Sequence, residues 1–172
     1  PTRRSSDLGS LGNRVWHDVN KNGLQDNGEA GIDGVKVTLY TSAGTAQGTL
    51  TTSGGGFYRF DNLAPGTYYV TFDLTTLPAG YVLTTRNAGS DDAIDSDANP
   101  ADGKSDLAVV LTGAFNDTVD AGAYFLTGSL GNRVWHDANK NGLQDNGEAG
   151  IDGVKVTLFT ADRKSTRLNS SH

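Results

Sequence analysis

Leu11 to Tyr40 reads LGNRVWHDVNKNGLQDNGEAGIDGVKVTLY, and its middle, Asp18 to Glu29 (DVNKNGLQDNGE), follows the calcium-loop pattern D-x-[DN]-x-[DN]-G-x5-E without a departure. A hard cation such as calcium takes about six to eight oxygen ligands, and this spacing lets one short loop wrap around the ion and supply most of them. Asp18, Asn20 and Asn22 offer side-chain oxygens, and Leu24 offers its backbone carbonyl. Asp26 binds directly or through a water, and Glu29 closes the shell with both carboxylate oxygens. Gly23 permits the sharp turn, and without a cation Asp18, Asp26 and Glu29 repel one another. An EF-hand would place a helix on each side of such a loop. Here LGNRVW before it and GVKVTLY after it alternate in the manner of strands, so the setting is β.

Working outward, Gly9 to Tyr40 recurs as Gly128 to Phe159 with two differences, Val19/Ala138 and Tyr40/Phe159. The second loop offers Asp137, Asn139, Asn141, Leu143, Asp145 and Glu148 at the same spacing. A tandem repeat of this period is long enough for each complete unit to build its own core. One complete unit is expected over 9–127, and a truncated second copy, holding two strands and the loop, over 128–161. The few residues between Phe125 and Leu130 contain no flexible Gly/Ser run, so adjacent full repeats are expected to sit end to end as a semi-rigid rod.

The two ends read differently. PTRRSSDL at 1–8 and DRKSTRLNSSH at 162–172 look like in-frame translations of short-read sequencing adapters, which makes them a non-native leader and tail around a piece of a longer reading frame. Five of the 14 basic and two of the 20 acidic residues fall in them, leaving the remainder at a net −9 against −6 for the whole chain. So acidic a surface argues against nucleic acid as a partner. No apolar run is long enough to span a bilayer. Cysteine is absent, which removes disulfides and thiolate metal sites, and a bound Ca2+ is then the evident staple.

Within the complete unit, strands are predicted at Leu11–His17, Gly34–Thr41, Gln47–Thr52, Phe57–Asp61, Thr67–Leu74, Tyr81–Arg86, Leu107–Thr112 and Thr118–Phe125, with no helix. Val35, Val37 and Leu39 should share one face, and Tyr68, Val70 and Phe72 another inward face. Gly54-Gly55-Gly56 is expected to close a hairpin. The fold class is therefore all-β, an antiparallel Ig-like or prealbumin-like β-sandwich of about eight strands. Gly89 to Asp106 is the most acidic segment, and Asp91, Asp92, Asp95 and Asp97 are either a second cation site or a solvated loop. Asp120, expected inside a strand, needs a partner there, whether a metal or a turn.

With GSLGNRVWHD at 9–18, NKNGLQDNGEAGIDGVKVTLY at 20–40, GFYRFDNLAPGTYYVTF at 56–72, LPAGYVLTT at 77–85, DSDANPADGKSDLAVVL at 95–111 and TVDAGAYF at 118–125, the unit resembles the B domains of bacterial serine-aspartate-repeat surface adhesins, the SdrD B-like members of the Cna-B or prealbumin-like sandwich class. The resemblance implies a calcium-stabilised spacer, secreted or on the cell surface, repeated in tandem between a ligand-binding head and an anchor, and carrying no catalysis. It implies calcium ligation by Asp18, Asn20, Asn22, Leu24, Asp26 and Glu29 and by their second-copy counterparts. It also implies neighbouring repeats as partners, with any host or matrix ligand bound by other domains. Some Cna-B-type domains lock themselves with a Lys–Asn isopeptide bond from the first strand. Arg14 stands there here and cannot be the amine nucleophile, so no such bond is expected.

Rival readings are weaker. His17 and His136 each sit beside a calcium ligand with no metalloprotease, nucleophile-elbow or phosphate-loop motif, which argues against an enzyme. Trp16 and Trp135 are sugar-stacking platforms only if exposed; a first-strand Trp more often fills a core. Dockerin-type modules place two such loops about one helix apart, unlike the strand-filled separation here. A module that itself binds protein or carbohydrate is the alternative that stays open.

Overall fold

A computed structural model describes residues 7–159; residues 1–6 and 160–172, which hold most of the adapter-like ends, lie outside the described residues. The chain divides into two compact units, 1–127 and 128–172. In the first, the strands are β1 (Gly9–His17), β2 (Lys36–Thr41), β3 (Ala46–Thr51), β4 (Phe57–Leu63), β5 (Gly66–Phe72), β6 (Tyr81–Leu83), β7 (Ala108–Val110), β8 (Phe115–Asn116) and β9 (Ala121–Phe125). One sheet runs β4-β1-β9-β6 with β8 also on β1, and the other runs β3-β2-β5-β7.

The period-2 pattern of β2 and β5 explains the second sheet. Val37 faces Phe72 and Leu39 faces Val70 in antiparallel register, so both strands turn the same apolar face inward. Across the gap stand Leu11 and Val15 of β1, Tyr58 and Phe60 of β4, and Ala121 and Ala123 of β9, all buried in one cluster with them. The alternating exposed positions Phe57, Arg59 and Asp61 of β4 look outward.

Three expectations change. The β4-β1-β9-β6 sheet is mixed, while β3-β2-β5-β7 is antiparallel throughout as expected: β1 pairs in parallel with β8 and with β9 (Val15 opposite Ala121, His17 opposite Ala123). Bringing the first and last strands side by side requires this, since both run the same way along the sheet. The Gly54–Gly56 segment closes no hairpin; β3 and β4 belong to different sheets, and only Ser53 and Phe57 exchange backbone bonds across the turn. Its glycines instead let the chain pass against β1: Gly56 has φ +84 and a Cβ there would strike the Val15 carbonyl. Finally, a short 3-10 turn at Leu74–Thr76 follows β5, capped by the Asp73 carboxylate accepting from Thr75 N.

The second unit is described over 128–159. The two strands expected there do not form; pairing is confined to bridges such as Trp135 with Gly150. Leu130 and Val156 are 86% and 78% exposed, because no facing sheet is present to cover them.

Candidate metal centre

The loop after β1 is pulled together by its own side chains. Asp18 accepts from the backbone amides of Asn22 (3.2 Å) and Gly23 (2.9 Å), which draws the turn back over the end of β1. Asn20 and Asn22 both donate side-chain N–H to one oxygen of Asp26, at 2.7 and 2.9 Å. Glu29 reaches across the loop, one oxygen taking Val19 N (2.8 Å) and the other Asp26 N (3.0 Å). The five oxygen-bearing side chains of the motif thus form one connected set. Leu24 sits in a bridge with Asp95 of the acidic segment, made by Gln25 N to Ile94 O and Ser96 N to Gly23 O.

Tertiary contacts then fix the loop to the sheet. Thr84, just past β6, donates its hydroxyl to Asp18 at 2.6 Å, and Asp18 is fully buried. Arg14 of β1 donates to the carbonyls of Glu29 and Gly55, tying the far end of the loop to the triple-glycine turn. Nothing in the spacing of the sequence singles out Thr84. Strand β6 ends before it, at Leu83, and Thr84 N bonds Gly122 O while its hydroxyl serves the loop.

A second group of acids lies alongside. Ligand atoms of Asp92, Asp95 and Asp97 all fall within 4.8 Å of one another, the only such group of three among the described residues; Asp91 is not part of it. Asp95 and Asp97 are buried, and Asp95 Oδ1 has no hydrogen-bond partner, an orphaned acceptor that a hard cation satisfies. Asp120 lies just before β9 rather than within a strand, and it exchanges main-chain and side-chain bonds with Asp97: Asp97 N to Asp120 O, and Asp120 N to Asp97 Oδ2 at 2.7 Å. Asn13 Nδ2 and Arg14 N donate to the Asp120 carboxylate. Burial, with Asp97 beside it, pushes Asp120 up to about 9; burial, with the neighbouring acids Asp92, Asp95 and Asp106 adding to it, pushes Asp97 up to about 7. Among the described residues no ion pair reaches Asp95, Asp97 or Asp120, and three buried carboxyls so placed suit a cation or protons.

A model of the SdrD B-like domain matches residues 9–123 and again 128–171. The chain belongs to that family. Serine-aspartate repeat-containing protein F of Staphylococcus epidermidis is 46% identical to it over 150 residues, covering 87% of this chain and 9% of that protein. Serine-aspartate repeat-containing protein C of Staphylococcus aureus is 49% identical over 150 residues, covering 87% of this chain and 15% of that protein. The chain therefore spans a small part of its relatives. Among solved structures, the minor pilin of Streptococcus agalactiae aligns with a TM-score of 0.49 at 15% identity, over 74% of this chain and 49% of that one.

Both copies of the SdrD B-like loop hold the same internal bonds. In the second, Asn139 and Asn141 donate to Asp145 at 2.8 and 2.7 Å, Gly142 N donates to Asp137, and Glu148 takes Ala138 N and Asp145 N. The two carboxamides hold the Asp145 carboxyl below its ordinary range. The Leu143 side chain is exposed. Of the other candidate residues, His17 packs edge-on against Tyr81 at 5.2 Å. Trp16 is fully buried and offers no face to a sugar; it lies outside the inter-sheet cluster, against Gly122, where a Cβ would come within 2.7 Å of the indole.

Proposed function

We propose that this chain is a calcium-stabilised spacer repeat of a secreted or cell-surface adhesin, with a structural rather than an enzymatic role. The observation that carries the reading is the connected set of Asp18, Asn20, Asn22, Asp26 and Glu29, anchored to the sheet through the Thr84–Asp18 bond. Where Asp26 now receives two amide N–H groups, a cation supplies the same positive charge, and a half-turn of each carboxamide presents oxygen in place of nitrogen. Asp137, Asn139, Asn141, Leu143, Asp145 and Glu148 repeat the donor set. Asp92, Asp95 and Asp97 take a further cation, which Asp95 Oδ1 is free to meet. The strands that flank the loop are each registered in one of the two packed sheets, so the ion selects the folded state over the unfolded one instead of switching between two folded forms. The partners on this reading are neighbouring copies of the repeat.

The test is a thermal melt of the chain with excess calcium and with chelator. Equal melting temperatures reject the structural-ion reading. A second reading, a module that itself binds protein or carbohydrate, is favoured by an open groove of about 510 Å³ whose lining includes Asn13, Phe57, Arg59, Phe115 and Asp117. A ligand screen in which Phe57→Ala abolishes a captured interaction would favour it.

A further inference from the structure

We propose that Asn27 and Asn146 are sites of spontaneous conversion to aspartate and isoaspartate, while Asn22 and Asn141, in the same loops and also followed by glycine, are held out of that reaction. The chemistry requires the amide nitrogen of the following residue to attack the asparagine Cγ. An N–Cγ bond forms as the Cγ–Nδ2 bond breaks, and ammonia leaves with the amide proton. Water then opens the resulting five-membered imide at either carbonyl, giving aspartate or isoaspartate. A following glycine suits this because it has no side chain to obstruct the approach.

The loop contains two Asn-Gly pairs in each copy, and the fold treats them oppositely. At Asn22 the nucleophile is engaged: Gly23 N donates to Asp18 at 2.9 Å and Gly23 is buried. The electrophile is clamped as well, because the Asn22 carboxamide donates to Asp26 (2.9 Å) and accepts from Leu24 N (2.8 Å). Asn141 and Gly142 repeat all three bonds, at 2.8, 2.7 and 2.7 Å. At Asn27 none of this holds. Asn27 is exposed, Gly28 stands at φ +95 with nothing within 4 Å of its Cβ direction, and among the described residues neither the Asn27 side chain nor the Gly28 amide has a hydrogen-bond partner. Asn146 and Gly147 (φ +96) match it. The bonds that close the turn run past these two residues: Glu29 N to Asp26 O at 3.2 Å with Asp26 N to the Glu29 carboxylate at 3.0 Å, and Glu148 N to Asp145 O at 3.3 Å with Asp145 N to the Glu148 carboxylate at 3.0 Å. Conversion at Asn27 adds a carboxylate between Asp26 and Glu29, and the isoaspartate form also lengthens the main chain between them. The reaction proceeds with or without a cation in the loop.

The experiment incubates the whole chain in mildly alkaline buffer, folded and in denaturant, and follows amide-to-acid conversion by peptide mass spectrometry with fragmentation. Cleavage at lysine releases identical peptides, 22–36 and 141–155, from the two copies; cleavage at arginine alone keeps Val19 and Ala138 attached and tells them apart. Folded protein should convert Asn27 and Asn146 about tenfold or more ahead of Asn22 and Asn141, since two or three bonds must break first at the latter. The denatured chain should convert all four alike. An Asn27→Gln chain, with its carbonyl one carbon out of reach, should lose conversion at 27 and keep it at Asn146. Similar rates at Asn22 and Asn27 in the folded chain, or no conversion at Asn27 while the denatured control converts, overturns the proposal.

Discussion

Thr84 and Asp18, 66 residues apart in sequence, share a buried hydrogen bond of 2.6 Å from hydroxyl to carboxylate. It is the only side-chain bond in the described structure that joins the Asp18 carboxylate to a residue outside its own loop. Replacing Thr84 by Val keeps the branched shape and removes one donor, leaving the buried Asp18 Oδ2 with the Gly23 amide alone. The expected cost is about 1.5–3 kcal/mol in the unit 1–127, read by urea denaturation. A change within experimental error would show that Asp18 does not depend on it.

Glu29 closes the loop with both oxygens, so Glu29→Gln should remove most of the calcium-dependent gain in stability. For a dissociation constant on the order of 10⁻⁵ M and about 1 mM calcium, that gain is about 2.7 kcal/mol. In a domain of this size it corresponds to a melting shift of roughly 10 °C. The same shift in the variant as in the parent would rule out this loop as the source.

Asp97 and Asp120 set the pH dependence of the cation-free chain. Both hold their protons more tightly when folded than when unfolded, where a carboxyl titrates near its ordinary value of about 4. The folded chain therefore carries extra protons from there up to about 7 for Asp97 and about 9 for Asp120. Stability contributed by these groups is fully present below the unfolded value and is lost as pH rises through the window. In chelator the melting temperature should fall between mildly acid and mildly alkaline pH, as each carboxyl gives up the proton that the folded state favours. Calcium should flatten the fall by taking the protons' place. A melting temperature that climbs with pH in chelator would contradict the assignment.

The second copy should exchange its amide hydrogens far faster than the first. Val134, Val154, Val156 and Leu158 are exposed there, whereas Val15, Val35, Val37 and Leu39 are fully buried. Opening costs little where few apolar contacts are broken. Hydrogen exchange read by mass spectrometry on 128–159 and on 9–40 makes the comparison, and equal protection in the two would refute it.

Much of the loop was legible in the sequence because it is built from contacts a few residues apart. Its internal bonds recur in the second copy without any strand around them, Asn20 to Asp26 at 2.7 Å against Asn139 to Asp145 at 2.8 Å. The inward faces of β2 and β5 were equally plain, since Val37, Leu39, Val70 and Phe72 alternate with polar residues and alternation fixes the buried face of a strand.

What only the tertiary structure decided are the pairings between distant segments. The triple-glycine turn carries the local marks of a hairpin, yet the closeness of Gly56 to Val15 sends β3 and β4 into different sheets. The parallel seating of β9 on β1 puts Asp120 over Asn13 and Arg14, and the bridge of Leu24 with Asp95 brings the acidic segment to the loop. No periodicity encodes such meetings. They arise because two sheets with one buried face each must close on a common core, and the closure, not the local chain, chooses which polar groups share the space left beside it.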